Sequence, residues 1–175
     1  MAEDKEKIII EVDPGEYSEE MTERKKTVRV QVFSLGGEDY GMVIGQAKEV
    51  VFLPAVTRVP NVPDFIEGII NWHGEIIALI DLAYFFGLKA QRKVEEERVI
   101  ITDAAGFPVG ILVDKLRDTL DIEEGLIQAP LVTLDAKAAS FTKGQVHLKD
   151  RILILLDMEK ILNCQEIKTL RQGEK

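Results

Sequence analysis

The chain has 175 residues, 46% of them hydrophobic, and a formal net charge of -9 at pH 7. That length suits one ordinary domain or two small joined ones, and the apolar fraction is ample for a core. No apolar run approaches the ~20 residues of a membrane-spanning helix, and the acidic balance argues against nucleic acid or an anionic membrane surface as the main partner. The single cysteine, Cys164, excludes an internal disulfide and fits a reducing cytoplasm.

Residues 1–27 are rich in Glu, Asp and Lys and are read as a flexible acidic leader. No secretory signal is expected, because Met1 to Lys7 is charged and Ile8-Ile9-Ile10 is too short an apolar run. The knot Ile8-Ile9-Ile10-Glu11-Val12 leaves a second option, an added edge strand. From Val28 the pattern changes: Val28, Val30 and Val32 alternate with Arg29 and Gln31, the period of a half-buried strand. Gly36-Gly37-Glu38-Asp39 predicts a turn, Tyr40 to Ile44 a returning strand, and Gln46 to Leu53 a third element. Thr57 to Pro63 should run extended ahead of its prolines, with one helical turn over Pro63–Glu67.

The stretch from Gly68 to Leu82 organises the rest. Two apolar runs, Ile69-Ile70 and Ile76 to Ile80, flank Asn71-Trp72-His73-Gly74, which predicts two strands and a tight turn. Asp81 caps a short helix over Leu82–Phe86, closed by Gly87. The same layout returns without a gap at Gly144 to Met158, so Gly68 falls on Gly144, Ile76 on Ile152, and Asp81 on Asp157. Ahead of each copy, Gly41 to Ile44 with Glu49 falls against Gly110 to Val113 with Asp118. Duplication of a short β-rich unit explains this better than chance agreement of common residues.

Lys89 to Glu97 is polar and reads as a surface crossover between the halves. Arg98–Thr102 and Pro108–Val113 predict a hairpin, Leu120–Ile122 and Ile127–Pro130 short strands, and Leu131–Thr142 a loop. Ile161, Cys164, Ile167 and Leu170 recur at helical spacing and predict a C-terminal helix. Many short strands with frequent turns indicate an all-β fold of barrel type.

Chemistry is sparse. His73 and His147 sit at or near hairpin bends, where a solvent-facing turn residue is favoured over a general base beside Asp81 or Asp157. Cys164 reads as a small hydrophobe, and two histidines with one cysteine lack the spacing of a metal site. Trp72 is read as core in preference to an exposed contact, and Asp81, Asp114 and Asp157 as structural caps. A binding module follows more readily than an enzyme. The competing readings are a small β-barrel hydrolase or ligand-binding protein using His73 and Asp81, and a self-assembling structural protein.

The run Gly68-Ile69-Ile70-Asn71-Trp72-His73-Gly74-Glu75-Ile76-Ile77-Ala78-Leu79-Ile80-Asp81-Leu82 resembles the signature of the CheW-like domain family of chemotaxis. Phe33 to Gly36, Tyr40-Gly41, Glu49-Val50, Val59-Pro60, Gly110 to Asp114 and Ile152 to Asp157 follow in the family's order. The resemblance covers about Val28 to Leu162, with no phosphotransfer, ATP-binding or receiver segment. It implies two five-stranded SH3-like barrels sharing a hydrophobic core, over residues 28–162 with a crossover near 88–97, then a helical tail over 163–175. It further implies a cytoplasmic adaptor without catalysis, cofactor or metal, recruited to the inner face of the membrane through receptors but not inserted there. Its partners would be the regulatory domain of the histidine kinase CheA and the cytoplasmic tip of a chemoreceptor, with rings of the two proteins left open.

Carried over by position, Ile44, Glu49 and Val50 would contact the kinase, and Gly68, Asn71, His73, Val99 and Ile100 would lie at or near the receptor groove. Gly68 would admit a close-packed helix, so a bulky substitution there should weaken receptor binding and leave the fold intact. The family usually has Arg where this chain has His73. A Glu49–His73 contact is therefore expected to be weaker than the family's ion pair and dependent on pH.

Overall fold

In a computed structural model, which describes residues 25–104, 106–130 and 139–172, the alternating valines form β1 (Thr27–Leu35). The turn at Gly36-Gly37 leads to β2 (Glu38–Val43), a 3-10 turn over Ile44–Gln46 and β3 (Ala47–Phe52). The expected hairpin is β4 (Ile66–Trp72) with β5 (Glu75–Asp81), followed by α1 (Leu82–Phe85). The second half supplies β6 (Arg98–Ala104), β7 (Phe107–Val113), β8 (Lys115–Glu123), β9 (Thr142–His147) and β10 (Ile152–Leu156). Residues 1–24 and 131–138 lie outside the described residues, and with them most of the leader and of the loop expected over Leu131–Thr142.

Some local expectations need correction. Pro63–Glu67 makes a turn at Asp64-Phe65, not a helical one, and β4 begins at Ile66, whose N–H bonds Pro63 O at 2.9 Å. Leu120–Ile122 is part of a nine-residue strand, because β8 pairs along almost all of β1. Of the short strand expected over Ile127–Pro130, Gln128 alone makes a bridge, to Gln145. The single C-terminal helix is two, α2 (Met158–Leu162) and α3 (Gln165–Gln172). Asn163 ends the first by donating its side-chain amide to Glu159 O at 2.9 Å.

The ten strands form two five-stranded sheets, sheet A in the order β8-β1-β2-β10-β9 and sheet B in the order β3-β6-β7-β5-β4. The sequence repeat runs β1–β5 and then β6–β10, so each sheet takes two strands from one repeat and three from the other. The register matches pair for pair. Val32 stands opposite Gly41 as Ile101 does opposite Gly110, and Gln31 opposite Thr119 as Ile100 does opposite Val50. The parallel contacts Leu155–Gly41 and Leu79–Gly110 correspond as well. Isolated bridges Thr57–Ile69 and Gln128–Gln145 bring the chain beyond β3 and β8 against the edge strands β4 and β9, curling each sheet toward a barrel.

Burial follows the same symmetry. Val30, Val32, Val146, Leu153 and Leu155 fill the inside of sheet A, where Val99, Ile101, Ile70, Ile77 and Leu79 fill sheet B. Between the sheets lies a shared core of Phe33, Met42, Ile80, Ile100, Ile111 and Phe141, sealed by Leu82 and Phe85 of α1 and by Met158 and Ile161 of α2. Asp81 caps α1 by accepting from Tyr84 N at 3.1 Å, and Asp157 caps α2 from Lys160 N at 3.1 Å. Asp114 joins the sheets: its N–H bonds Ser34 O, and its carboxylate accepts from Gly36 N at 2.9 Å and Gln91 N at 2.8 Å.

The crossover carries an unexpected feature. Arg92 turns inward, its side chain only 18% exposed, to pair with Asp81 and to stand 3.2 Å from Asp114 Oδ1 and 4.0 Å from Glu97 Oε2. All three contacts are ion pairs without hydrogen-bond alignment. Burial works against the Arg92 charge, but the close contact with Asp81 and the charge of Asp114 outweigh it and raise the guanidinium above its ordinary range. Burial also pushes the Glu97 carboxyl up, with Arg92 opposing the rise. Removing one partner of a buried ion pair leaves uncompensated charge. Arg92→Ala should therefore lower the unfolding free energy toward the lower end of about 3–5 kcal/mol, measured by denaturant titration at pH 7. A raised carboxyl favours the fold below its unfolded pKa and less as pH climbs through its folded one. The deficit should accordingly shrink as the medium is acidified toward pH 5 and Glu97, no longer opposed by Arg92, takes up a proton.

Candidate functional site

One end of sheet B presents a surface built by the 3-10 turn, by β3 and by the β4–β5 hairpin. The hairpin turns on His73 (φ 53) and Gly74 (φ 90), the positive pair that a two-residue turn of the primed type requires. Asn71 secures it by accepting from Gly74 N at 2.9 Å. This places Trp72 and His73 over Glu49. Glu49 Oε1 accepts from Trp72 Nε1 at 2.9 Å and lies 2.9 Å from His73 Nε2. The two rings tilt against each other with centroids 5.0 Å apart, and the Lys48 ammonium sits 5.8 Å from the Trp72 ring centre. The hydrogen bond from His73, then that from Trp72, holds the Glu49 carboxyl below its ordinary 4.5, against a small opposing effect of burial.

Beside this group β3 alternates. Lys48, Val50 and Phe52 face outward, while Ala47, Glu49 and Val51 turn toward the sheet interior. Val50 is 36% exposed, Phe52 71% and Ile44, just before the strand, 38%. Phe52 is flanked by the Arg98 guanidinium, 4.1 Å from its ring centre. An apolar row with a polar rim of Lys48, Glu49, His73 and Arg98 results, the composition of a protein contact and not of a reaction centre. The symmetry-related end of sheet A differs. Thr119 and Asp121 occupy the places of Val50 and Phe52, and Lys149 that of His73.

The expected site residues divide accordingly. Ile44, Glu49, Val50, Asn71 and His73 share this end of the molecule, and Glu49 and His73 pair directly. Val99 and Ile100 do not reach the surface: both are 0% exposed on β6, which runs between β3 and β7. Gly68 is buried as well, and its neighbour is the chain itself. At φ 153, a Cβ there would fall inside contact distance of the Thr57 carbonyl oxygen and the Val56 side chain, as one at Gly144 would lie 2.6 Å from Gln128 O. The expectation that a bulky residue at Gly68 leaves the fold intact is therefore corrected. Trp72, read from sequence as core, is half-buried and spends its N–H on Glu49. Phe52 was not singled out by sequence, although the Lys48–Val50–Phe52 alternation marks it.

The residues of the hydrolytic alternative are apart. His73 lies in the turn before β5, and Asp81 ends that strand eight residues on, about 25 Å at the rise of an extended chain. Asp81 is engaged as a helix cap and with Arg92, and Asp157 likewise caps a helix. Among the described residues, no group of three His, Cys, Asp or Glu side chains could hold a metal ion. His147 is exposed, and burial pushes the Cys164 thiol up.

A model of the CheW-like domain matches residues 29–166. The chain belongs to the CheW-like domain family. It is 37% identical over 139 residues to a chemotaxis protein CheW of Klebsiella aerogenes, covering 78% of this chain and 82% of that one. A chemotaxis protein CheW of Treponema pallidum is 30% identical, over 79% of this chain and 84% of its own. The crystal structure of the scaffolding protein TtCheW from Thermoanaerobacter tengcongensis superposes with a TM-score of 0.73 at 32% identity, covering 82% of this chain and 92% of that chain. The expected arrangement of two five-stranded sheets about a common core is thus that of the CheW-like family.

Two outcomes follow from this geometry. Gly68→Ala should cost about 1–3 kcal/mol by overpacking against Thr57, whereas Gly45→Ala, with open space around it, should stay within about 0.5 kcal/mol; thermal and denaturant melts compare them. By carbon-detected NMR titration the Glu49 carboxyl should show its midpoint below 4.5, and His73→Ala should move that midpoint upward.

Proposed function

We propose that this chain is a non-catalytic chemotaxis adaptor that couples a CheA-type histidine kinase to the cytoplasmic tip of a chemoreceptor. The observation that carries this reading is the exposed row of Val50 and Phe52 beside Ile44 and the Glu49–Trp72–His73 group, where the symmetry-related end of sheet A is polar. The two ends of the doubled fold are dressed differently. In this reading Ile44, Val50 and Phe52 are the apolar anchors for the kinase regulatory domain, and Glu49 positions the hairpin beside them. Asn71 and His73 contribute to the receptor-facing surface. Gly68, Val99 and Ile100 act from beneath, shaping that surface without touching the partner.

The working unit is residues 28–162, with 1–27 as a leader and 163–175 as a tail. The chain acts in the cytoplasm and gathers at the inner face of the membrane through receptors, and no described helix is long and apolar enough to cross a membrane. Rings alternating with kinase domains are compatible with two dissimilar ends on one molecule.

The decisive experiment is titration calorimetry of the full chain against a CheA regulatory domain and against a receptor tip, each alone. A few anchors dominate such interfaces, so Val50→Asp and Phe52→Ala should each weaken kinase binding about tenfold or more. Both positions are exposed, so melting should be unchanged and receptor-tip affinity nearly so. Kinase binding that survives both substitutions would remove β3 from the interface. Binding to neither partner, together with turnover of a substrate, would remove the adaptor reading altogether.

A further inference from the structure

The register of β3 on β6 sets Phe52 directly opposite Arg98, so the two side chains share one face of sheet B. The pair has a counterpart at the matching place in sheet A, where Asp121 of β8 stands opposite Arg29 of β1. Both repeats keep the arginine, and its partner differs. Arg29 closes a two-pronged ion pair on Asp121, with Nε 2.8 Å from Oδ1 and Nη2 3.2 Å from Oδ2. Arg98 instead brings its guanidinium carbon to 4.1 Å from the Phe52 ring centre. Its Nη1 donates to two backbone carbonyls of the crossover, Glu97 O at 2.9 Å and Glu95 O at 3.2 Å. Those carbonyls belong to a 3-10 turn over Val94–Glu96 and to the residue that follows it.

This geometry bears on how Phe52 can bind. The ring is 71% exposed, and a side chain that open loses rotamer freedom when a partner immobilises it, which weakens binding. A guanidinium tied to two carbonyls is a fixed support, and its planar cation is attracted to an aromatic face. Arg98 therefore orders Phe52 before the partner arrives. The support also carries a charge. A cation beside the ring repels basic side chains, so the surface that meets Phe52 and Val50 is apolar with a neutral or acidic border. At the other end the same arginine is neutralised by Asp121 and props up no apolar side chain.

We infer that Arg98 is a positioning residue for the kinase contact, holding Phe52 in its binding orientation from the crossover side. The inference rests on the reading of β3 as that contact. Its test is a double-mutant cycle on the full chain, titrated by calorimetry against a CheA regulatory domain. Arg98→Ala should weaken kinase binding about two- to fivefold. Once Phe52 is already Ala, adding Arg98→Ala should change the affinity by less than about 1.5-fold. Arg98→Lys keeps the charge without the planar fork and should stay weakened. Arg29→Ala, the matching change in sheet A, should bind the kinase domain as the unaltered chain does, and receptor-tip affinity should hold in every variant. If Phe52→Ala weakens binding but Arg98→Ala does not, or if the two losses multiply, the inference falls while the β3 contact stands. Full affinity in Arg98→Lys, an equal loss in Arg29→Ala, or a parallel loss toward the receptor tip would overturn it too. Full kinase affinity in Phe52→Ala would remove Phe52 from the contact and the inference with it.

Discussion

Everything in this molecule depends on two parallel strand pairs, β2 with β10 and β5 with β7. Each joins a strand of one sequence repeat to a strand of the other, through Leu155 opposite Gly41 and Leu79 opposite Gly110. Without them each sheet would split into a three-stranded piece, β8–β1–β2 or β3–β6–β7, and an isolated two-stranded ribbon, β9–β10 or β4–β5. The exchange also explains why a common core exists. Strands that cross between halves carry Phe33, Met42, Ile80 and Ile111 to the seam, where the capped helices α1 and α2 close over them. The Arg92 cluster and Asp114 then fix the seam with charge and backbone hydrogen bonds.

On that symmetric frame, function is a matter of how the symmetry is broken. Core positions keep the same character in both copies, since Val30 and Val99, or Leu155 and Leu79, perform the same packing. Rim positions diverge, and Val50 and Phe52 against Thr119 and Asp121 give one molecule an apolar end and a polar one. Charged Arg117 and Lys115 along β8 have counterparts in sheet B that are not both basic, Lys48 and Gln46. Two unlike ends are what a linking protein needs if it is to hold different partners at once.

Much of this was legible in the residues. The Gly68–Leu82 run disclosed its hairpin, its turn and its capped helix, because glycine, aspartate and period-two alternation act locally. The gapless return at Gly144–Met158 disclosed the duplication. What stayed hidden was long-range. Nothing in Lys89–Glu97 marks Arg92 as the residue that turns inward, since its partners are Asp81, at the end of β5, and Asp114, between β7 and β8. Val99 and Ile100 look like any strand pair, and only their place on the central strand β6 shows that they cannot be touched. Gly68 was flagged for close approach, correctly in kind, but the body approaching it is the chain's own Thr57 backbone.

The exchanged strands also constrain how the chain comes into being. β2 waits for β10, so sheet A cannot be finished until Leu156 has left the ribosome. Sheet B draws all five of its strands from Ala47–Val113 and can pair once β7 has emerged, whereas β1 and β2, paired with each other, wait with open edges for β8 and β10. Completing sheet A is the late step, because it closes a large loop between β1–β2 and β8–β10.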